Sequence, residues 1–245
     1  MQKSPLLINS DLLTAQFGLE IGTAAPLLIR FESVFLGLGG DEVKLLFASD
    51  LHLGGARSLR VIEQLVAAVA ETKPDLVLFG GDLVDERRGI AKLESCVQQV
   101  VAYAPVWAIA GNHDVWIGVQ QVRRAVEAGG GNWLENSLNL SNVRIDGFVD
   151  RNPTSALRIL CAHNPVVFSG AIAAGYNLVL AGHLHGCQWV FWQRNGLLYP
   201  GAWFYRWNGL RFELNGATLL VSRGMGDTLP VRWNCPREVI LCHIY

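Results

Sequence analysis

The 245 residues suffice for one large domain or two small ones with a substantial buried core. Hydrophobic residues make up 51% and charged residues 17%, the latter below the roughly 25% of ordinary soluble proteins, so some surface is expected to be apolar, facing a partner copy, a greasy substrate or a membrane. A formal net charge of -1, from 20 basic and 21 acidic residues, carries no global footprint for a polyanion, and no nucleic-acid partner is expected.

From the start, Met1 to Ile8 holds no sustained apolar core and Asp11 interrupts it, so no secretory signal is read. Residues 1–40 form a segment of unclear role, with strands over 27–32 and 34–36 before a turn region at Gly37 to Gly40. The run 43–48 reads as a buried strand that delivers Asp50 and His52. Leu59, Ile62, Leu65, Val66 and Val69 recur at helical spacing until Lys73-Pro74 stops them. Strand 76–79 then ends at Gly80-Gly81-Asp82. A helix over 93–101, a strand over 106–109 and a helix over 119–128 follow, the last closed by three glycines.

Such alternation marks βαβ units, whose parallel strands gather ligands at their carboxyl ends. Strand 157–162 leads to His163, and 177–181 leads to Gly182-His183-Leu184-His185. Three Asn-Gly pairs, at 195, 208 and 215, then separate strand-like runs, so 187–223 is expected to be an antiparallel meander, with a final strand over 238–244. No linker or repeat divides the chain. One domain is the simplest account.

Five of the six histidines fall at these strand ends with Asp50, Asp82 and Asn112. Imidazole nitrogens mixed with carboxylate and amide oxygens suit a divalent ion of borderline hardness, and a pair of ions needs a bridging carboxylate. Without cations, so many Asp and His side chains together would face repulsion and desolvation. Cys161 and Cys187 lie two residues from proposed ligands but are read as small buried residues. The five cysteines are odd in number and hold no CxxC pair, which fits a reducing compartment. With no window near the roughly 18 apolar residues of a membrane span, the expected location is cytoplasmic, with peripheral contact at the inner membrane face left open.

Asp50-Leu51-His52, Gly81-Asp82, Gly111-Asn112-His113-Asp114, His163 and Gly182-His183-Leu184-His185, in this order, resemble the five-motif signature of the calcineurin-like metallophosphoesterases. The match runs from about Val43 to the C-terminus, so 41–245 is taken as the metallophosphoesterase domain, with residues 1–40 packed on it. The resemblance implies an α/β (α+β) fold of four layers, a two-sheet β-sandwich flanked by helices. It implies two metal ions, Mn, Fe or Zn: one held by Asp50, His52, Asp82 and His185, the other by Asp82, Asn112, His163 and His183. His113 is then the general acid for the leaving oxygen, and Asp114 orients its ring. A metal-bridging hydroxide would attack a phosphodiester or pyrophosphate.

Ser222-Arg223-Gly224-Met225-Gly226 and the stretch after it resemble bacterial envelope-associated members, some of which hydrolyse UDP-diacylglucosamine. Arg223 and Arg232, within that stretch, are the expected substrate contacts, since guanidinium pairs bidentately with phosphoryl oxygens. Leu184 stands where the family often has threonine. The aromatic series Trp189, Phe191, Trp192, Tyr199, Trp203, Phe204, Tyr205, Trp207 and Trp233 is expected to be about half core, by period-two alternation. Alternative readings are a cyclic-nucleotide phosphodiesterase and a non-catalytic metal-binding scaffold.

Overall fold

Apolar strands without polar alternation need cover on both faces, and two stacked sheets provide it. In strand Val43–Ala48, Leu45 and Phe47 point to one side and Leu46 and Ala48 to the other, and all four are fully buried. The computed structural model describes residues 6–9, 18–39, 42–152 and 156–245. Residues 1–5, Asp11 and Gly40, on which part of the sequence reading rested, lie outside them.

The first sheet has the spatial order Leu6–Asn9, Leu27–Val34, Glu238–Ile244, Val43–Ala48, Leu76–Phe79, Val106–Ala108, Asn132–Trp133. It is parallel within each half, and the two halves meet antiparallel where Glu238–Ile244 pairs Val43–Ala48. The second sheet runs Arg211–Leu214, Ala217–Val221, Leu178–Ala181, Leu157–Cys161, Val143–Asp146, Leu138–Leu140. Between the sheets, Leu45, Phe47, Leu78 and Ile240 meet Ile159, Leu178, Leu180 and Leu220 in one core.

Helices cover the outer face of the first sheet. Ser58–Thr72 presents Val61, Ile62, Leu65 and Val69, Gly89–Val100 presents Leu93 and Val97, and Val119–Ala128 presents Val122 and Val126, the three-and-four spacing of one buried helical face. The first helix stops where Lys73 turns left-handed (φ 46°) ahead of Pro74. The fourth layer is thin: the short helix Phe168–Ala173, Tyr176 and Trp207 pack on Leu160, Val179 and Leu219. The four-layer α/β arrangement implied by the motifs is therefore the observed fold. No described helix is long and apolar enough to cross a membrane.

The single meander expected over 187–223 is instead two hairpins in different sheets. Among the described residues Val190–Arg194 pairs as a strand only with Leu197–Pro200, around Asn195-Gly196, and Arg211–Leu214 pairs Ala217–Val221, around Asn215-Gly216. In both turns Asn and Gly have positive φ (50° and 76°, 50° and 78°), as a two-residue hairpin loop requires. Ala217–Val221 is buried along its whole length and pairs parallel with Leu178–Ala181, so it joins the second sheet and leaves the first hairpin outside. Asn208-Gly209 turns no hairpin. Its Asn208 Nδ2 donates to the Leu198 carbonyl at 2.7 Å and ties the outer hairpin to the body.

Within the first 40 residues, Leu27–Val34 lies parallel to the last strand, and Leu19–Ile21 pairs Val231–Trp233. Both contacts brace the C-terminal segment that passes beneath Asp50.

Candidate metal centre and active site

Five strands of the two sheets deliver their carboxyl ends to one rim, and there the backbone reverses sharply. Asp50 (φ 58°), His52 (48°), Asp82 (52°), His183 (72°) and His185 (51°) all adopt the left-handed conformation. That region is uncommon for residues with a Cβ, and such strain persists where surrounding structure enforces it. The turns interlock too closely for larger neighbours. A Cβ at Gly182 would lie 1.9 Å from Ser49 Oγ, and one at Gly81 would lie 2.5 Å from the Gly111 nitrogen.

Three groups with ligand spacing result, of which the third, His52, Asp85 and His113, shares His52 with the first. In the first, His185 Nε2 lies 3.4 Å from Asp50 Oδ1 and 3.1 Å from His52 Nε2. In the second, His163 Nε2 lies 3.1 Å from Asp82 Oδ2, 3.1 Å from Asn112 Oδ1 and 3.2 Å from His183 Nδ1. Asp82, Asn112, His183 and His185 line one open cleft of about 320 Å³ with His113. Outer contacts orient these groups: Ser49 Oγ donates to Asp50 Oδ2 (2.6 Å), the His183 N–H to Asp50 Oδ1 (3.1 Å), and His163 Nδ1 to the Gly80 carbonyl (2.9 Å). With its Nδ1 proton so engaged, His163 turns Nε2 toward the cluster, where a cation would take the place of the proton shared with Asp82.

The charges are mutually dependent. Burial by itself would raise the Asp50 carboxyl, but His185, His163 and His52 hold it below its usual range. Burial likewise opposes ionisation of Asp82, yet its hydrogen bond and charge interaction with His163 bring it down to about 2. Burial would lower His163, and Asp82 and Asp50 outweigh it to lift the ring to about 9. Burial drives His185 down to about 3. Ring nitrogens face one another at 3.1 and 3.2 Å beside carboxylate and amide oxygens, and once a cation displaces the proton on His163 their lone pairs would converge on it. That donor set fits divalent ions of borderline hardness.

Asp114 is the first correction. Its carboxylate accepts from the backbone N–H groups of Gly111 (2.8 Å), Leu83 (3.0 Å) and Val84 (3.1 Å). It sits in the first turn of helix Asn112–Ile117, where free N–H groups attract an acceptor. Burial lifts it to about 6 despite those bonds. The carboxylate beside the His113 ring is Asp85, whose Oδ1 lies 2.8 Å from His113 Nδ1 and 2.5 Å from His52 Nδ1. Sequence reasoning missed Asp85, although its spacing, three residues after Asp82 at the end of a strand, was the available signal. Trp116, also missed, packs its exposed ring 4.7 Å from His113.

Arg223 and Arg232 are the second correction. Both are fully buried and already paired, so neither faces the cleft. Arg223 Nε donates to Glu238 Oε2 at 3.0 Å, and Arg232 donates to Asp227 Oδ1 (2.5 Å) and to the carbonyls of Gly226 (2.6 Å) and Arg223 (2.8 Å). Their work is to hold the 222–226 loop, which supports the ligand turn through Met225 N–H to Ser49 O (3.0 Å) and Gly226 N–H to Asp50 O (2.6 Å). Cys187 lines the cleft, and Cys161 is buried in the core between the sheets. Burial pushes the Cys161 thiol up to about 12 and the Cys187 thiol upward as well, which disfavours thiolate ligands. His243, the sixth histidine, pairs Glu42 at 2.8 Å.

The aromatic series also departs from expectation. Only Trp207 is buried, while Trp189, Phe191, Trp192, Trp203, Phe204, Tyr205 and Trp233 are exposed. The outer hairpin forms a two-stranded sheet of its own, so alternation there does not imply a covered face.

A model of the calcineurin-like phosphoesterases matches residues 43–178. The phosphodiesterase YaeI of Escherichia coli (strain K12) is 27% identical over 244 residues, spanning 89% of this chain and 87% of that protein. An uncharacterized metallophosphoesterase of Aquifex aeolicus (strain VF5) is 26% identical, spanning 84% and 86%. A dimetal phosphatase from Danio rerio, 12% identical, superposes with a TM-score of 0.51 over 78% of this chain and 90% of that one, a likeness of fold.

Proposed function

The chain belongs to the calcineurin-like phosphoesterases, hydrolases of phosphoric esters that work with divalent metal ions, and from that premise we propose that it is a two-metal phosphohydrolase of phosphodiesters or pyrophosphates. The observation that supports this reading is the convergence of all seven expected ligands on one cleft rim. We assign one ion to Asp50, His52, Asp82 and His185, and the other to Asp82, Asn112, His163 and His183. When bound, such ions stabilise charge on the phosphoryl oxygens and activate water at neutral pH. His113 lines the cleft with Nε2 4.0 Å from Asp82 Oδ2. Asp85, as the acceptor at Nδ1, orients the ring and favours its imidazolium form, from which Nε2 would give its proton to the departing oxygen. We also read 41–245 as the catalytic domain, with the described part of the preceding segment packed on it, a reading supported by the place of Leu27–Val34 in the seven-stranded sheet.

Purified protein is expected to hold about two Mn, Fe or Zn ions per chain, and chelation should abolish turnover. By metal analysis, Asp82→Ala should empty both positions, whereas Asn112→Ala should weaken one. Equal stoichiometric loss in both variants would count against the assignment of Asp82 as the bridge.

A narrower reading is a lipid-linked nucleotide-sugar pyrophosphate of the UDP-diacylglucosamine kind, cleaved at the cytoplasmic face of a membrane. It is favoured by the outer hairpin and the segment after it, which expose Phe191, Trp192, Trp203, Phe204 and Tyr205. Between residues 186 and 210 the only charges are Arg194 and Arg206. Aromatic rings mixed with arginine suit the interface of an anionic bilayer. Sedimentation with anionic liposomes should carry the protein down. Protein that stays in the supernatant and turns over soluble cyclic nucleotides overturns this reading.

A further inference from the structure

We propose that a second cleft, joined to the metal cleft through Leu184 and Tyr205, seats an apolar alkyl or acyl arm of the substrate; this rests on the phosphoester reading above. The second cleft is about 310 Å³, with Pro165, Val166, Leu184, Phe204 and Trp207 among its walls. Leu184 and Tyr205 also line the metal cleft. Leu184 lies between His183 and His185, so the wall shared by the two clefts is held on either side by residues of the ligand cluster.

The floor is rigid and the rim is open. Trp207 is buried and packs edge-on against Phe168 (5.2 Å) and Phe212 (5.1 Å). At the rim, Val166 is 66% exposed and Phe204 79% exposed, an arrangement that leaves large apolar side chains in water unless something covers them. The lining contains no carboxylate, and its one charge, Arg206, lies over the Trp207 ring at 4.5 Å.

A nucleobase would need convergent polar groups to fix its edge. Few are free here. The carboxamide oxygen of Asn164 accepts from the Val166 N–H at 3.0 Å as the cap of its own turn. The walls therefore favour a chain recognised by apolar contact, with its phosphoryl end in the metal cleft.

The test is a series of alkyl p-nitrophenyl phosphate diesters, methyl to octyl, kept below their micelle concentrations. For the metal-loaded protein, kcat/KM should rise on the order of 10- to 100-fold from methyl to octyl. Val166→Asp and Phe204→Ser, both at exposed positions, should flatten that rise and leave the methyl substrate within about twofold. Calorimetry of octylphosphonate against methylphosphonate reads the same preference without turnover, and the variants should lose it. A flat series, or a rise that survives in both variants, overturns the proposal. Failure to hydrolyse the methyl diester would defeat the phosphoester reading instead, and the phosphonate titration would still decide the second cleft.

Discussion

His113→Asn should lower turnover of an ester with a poor, alkoxide-like leaving group by about 10²- to 10⁴-fold, the range that positioned proton donors supply. A p-nitrophenolate leaving group departs without a proton, so the same variant should lose far less on it. Metal content should stay at the wild-type value if the His52, Asp85 and His113 group, which also has ligand-type spacing, holds no ion, because the His113 ring meets Asp85 through Nδ1 and is in neither assigned ligand set. Asp85→Asn should reproduce the leaving-group dependence at smaller amplitude and also disturb His52, which shares the same carboxylate oxygen. Combined, the two changes should cost less than the product of their separate effects, as expected for residues in one unit. Metal loss in His113→Asn, or equal losses on both leaving groups, would remove His113 from the role of acid.

Glu238→Ala should be the most destabilising change outside the ligand cluster. Glu238 is fully buried and accepts from Arg30 Nε (3.2 Å), from the Arg223 backbone N–H (3.1 Å) and from the Arg223 guanidinium. Deleting it leaves the buried Arg223 guanidinium without its carboxylate and Arg30 with Glu32 as its remaining one, at a cost of about 3–5 kcal/mol. Urea denaturation should show the loss as a lower midpoint at unchanged slope. The pH dependence has a definite sign. Burial would raise the Glu238 carboxyl, but Arg223 and Arg30 hold it below its usual value, so its folded pKa lies under its unfolded one. Its contribution is therefore complete above about pH 4.3, the unfolded value, and is lost as pH falls through the folded pKa. Glu238→Gln should accordingly show a shallower decline of stability in acid than wild type. An unchanged acid profile would place the stabilisation elsewhere.

Much of this molecule is legible in its amino-acid order. The runs at 43–48, 76–79 and 238–244 read as strands because both faces are buried, which removes the need for polar alternation. The helix at 119–128 is legible from end to end, since its apolar residues keep helical spacing up to three glycines. The metal-type side chains are legible because each follows such a strand at its carboxyl end. The short helix Asn112–Ile117 is not, since its first turn consists of the very residues that look like a polar cluster.

Other features belong to three dimensions. Asp114 follows His113 in the chain whereas Asp85 lies in a much earlier loop, and only the course of the backbone decides between them: one accepts from the N–H groups of Gly111, Leu83 and Val84, the other from a His113 ring nitrogen. Arg223 and Arg232 have the chemistry of phosphate contacts, but pairing with Glu238 and Asp227 buries them. The hairpin aromatics alternate as a half-buried strand would, yet no second layer covers them. Sequence by itself determined which residues stand at the strand ends, because local burial and residue chemistry are written position by position. Which side chain faces which, and which face meets water, was decided by the tertiary structure, because those contacts join segments as distant as Arg30 and Glu238 and depend on turns that the order of residues does not display.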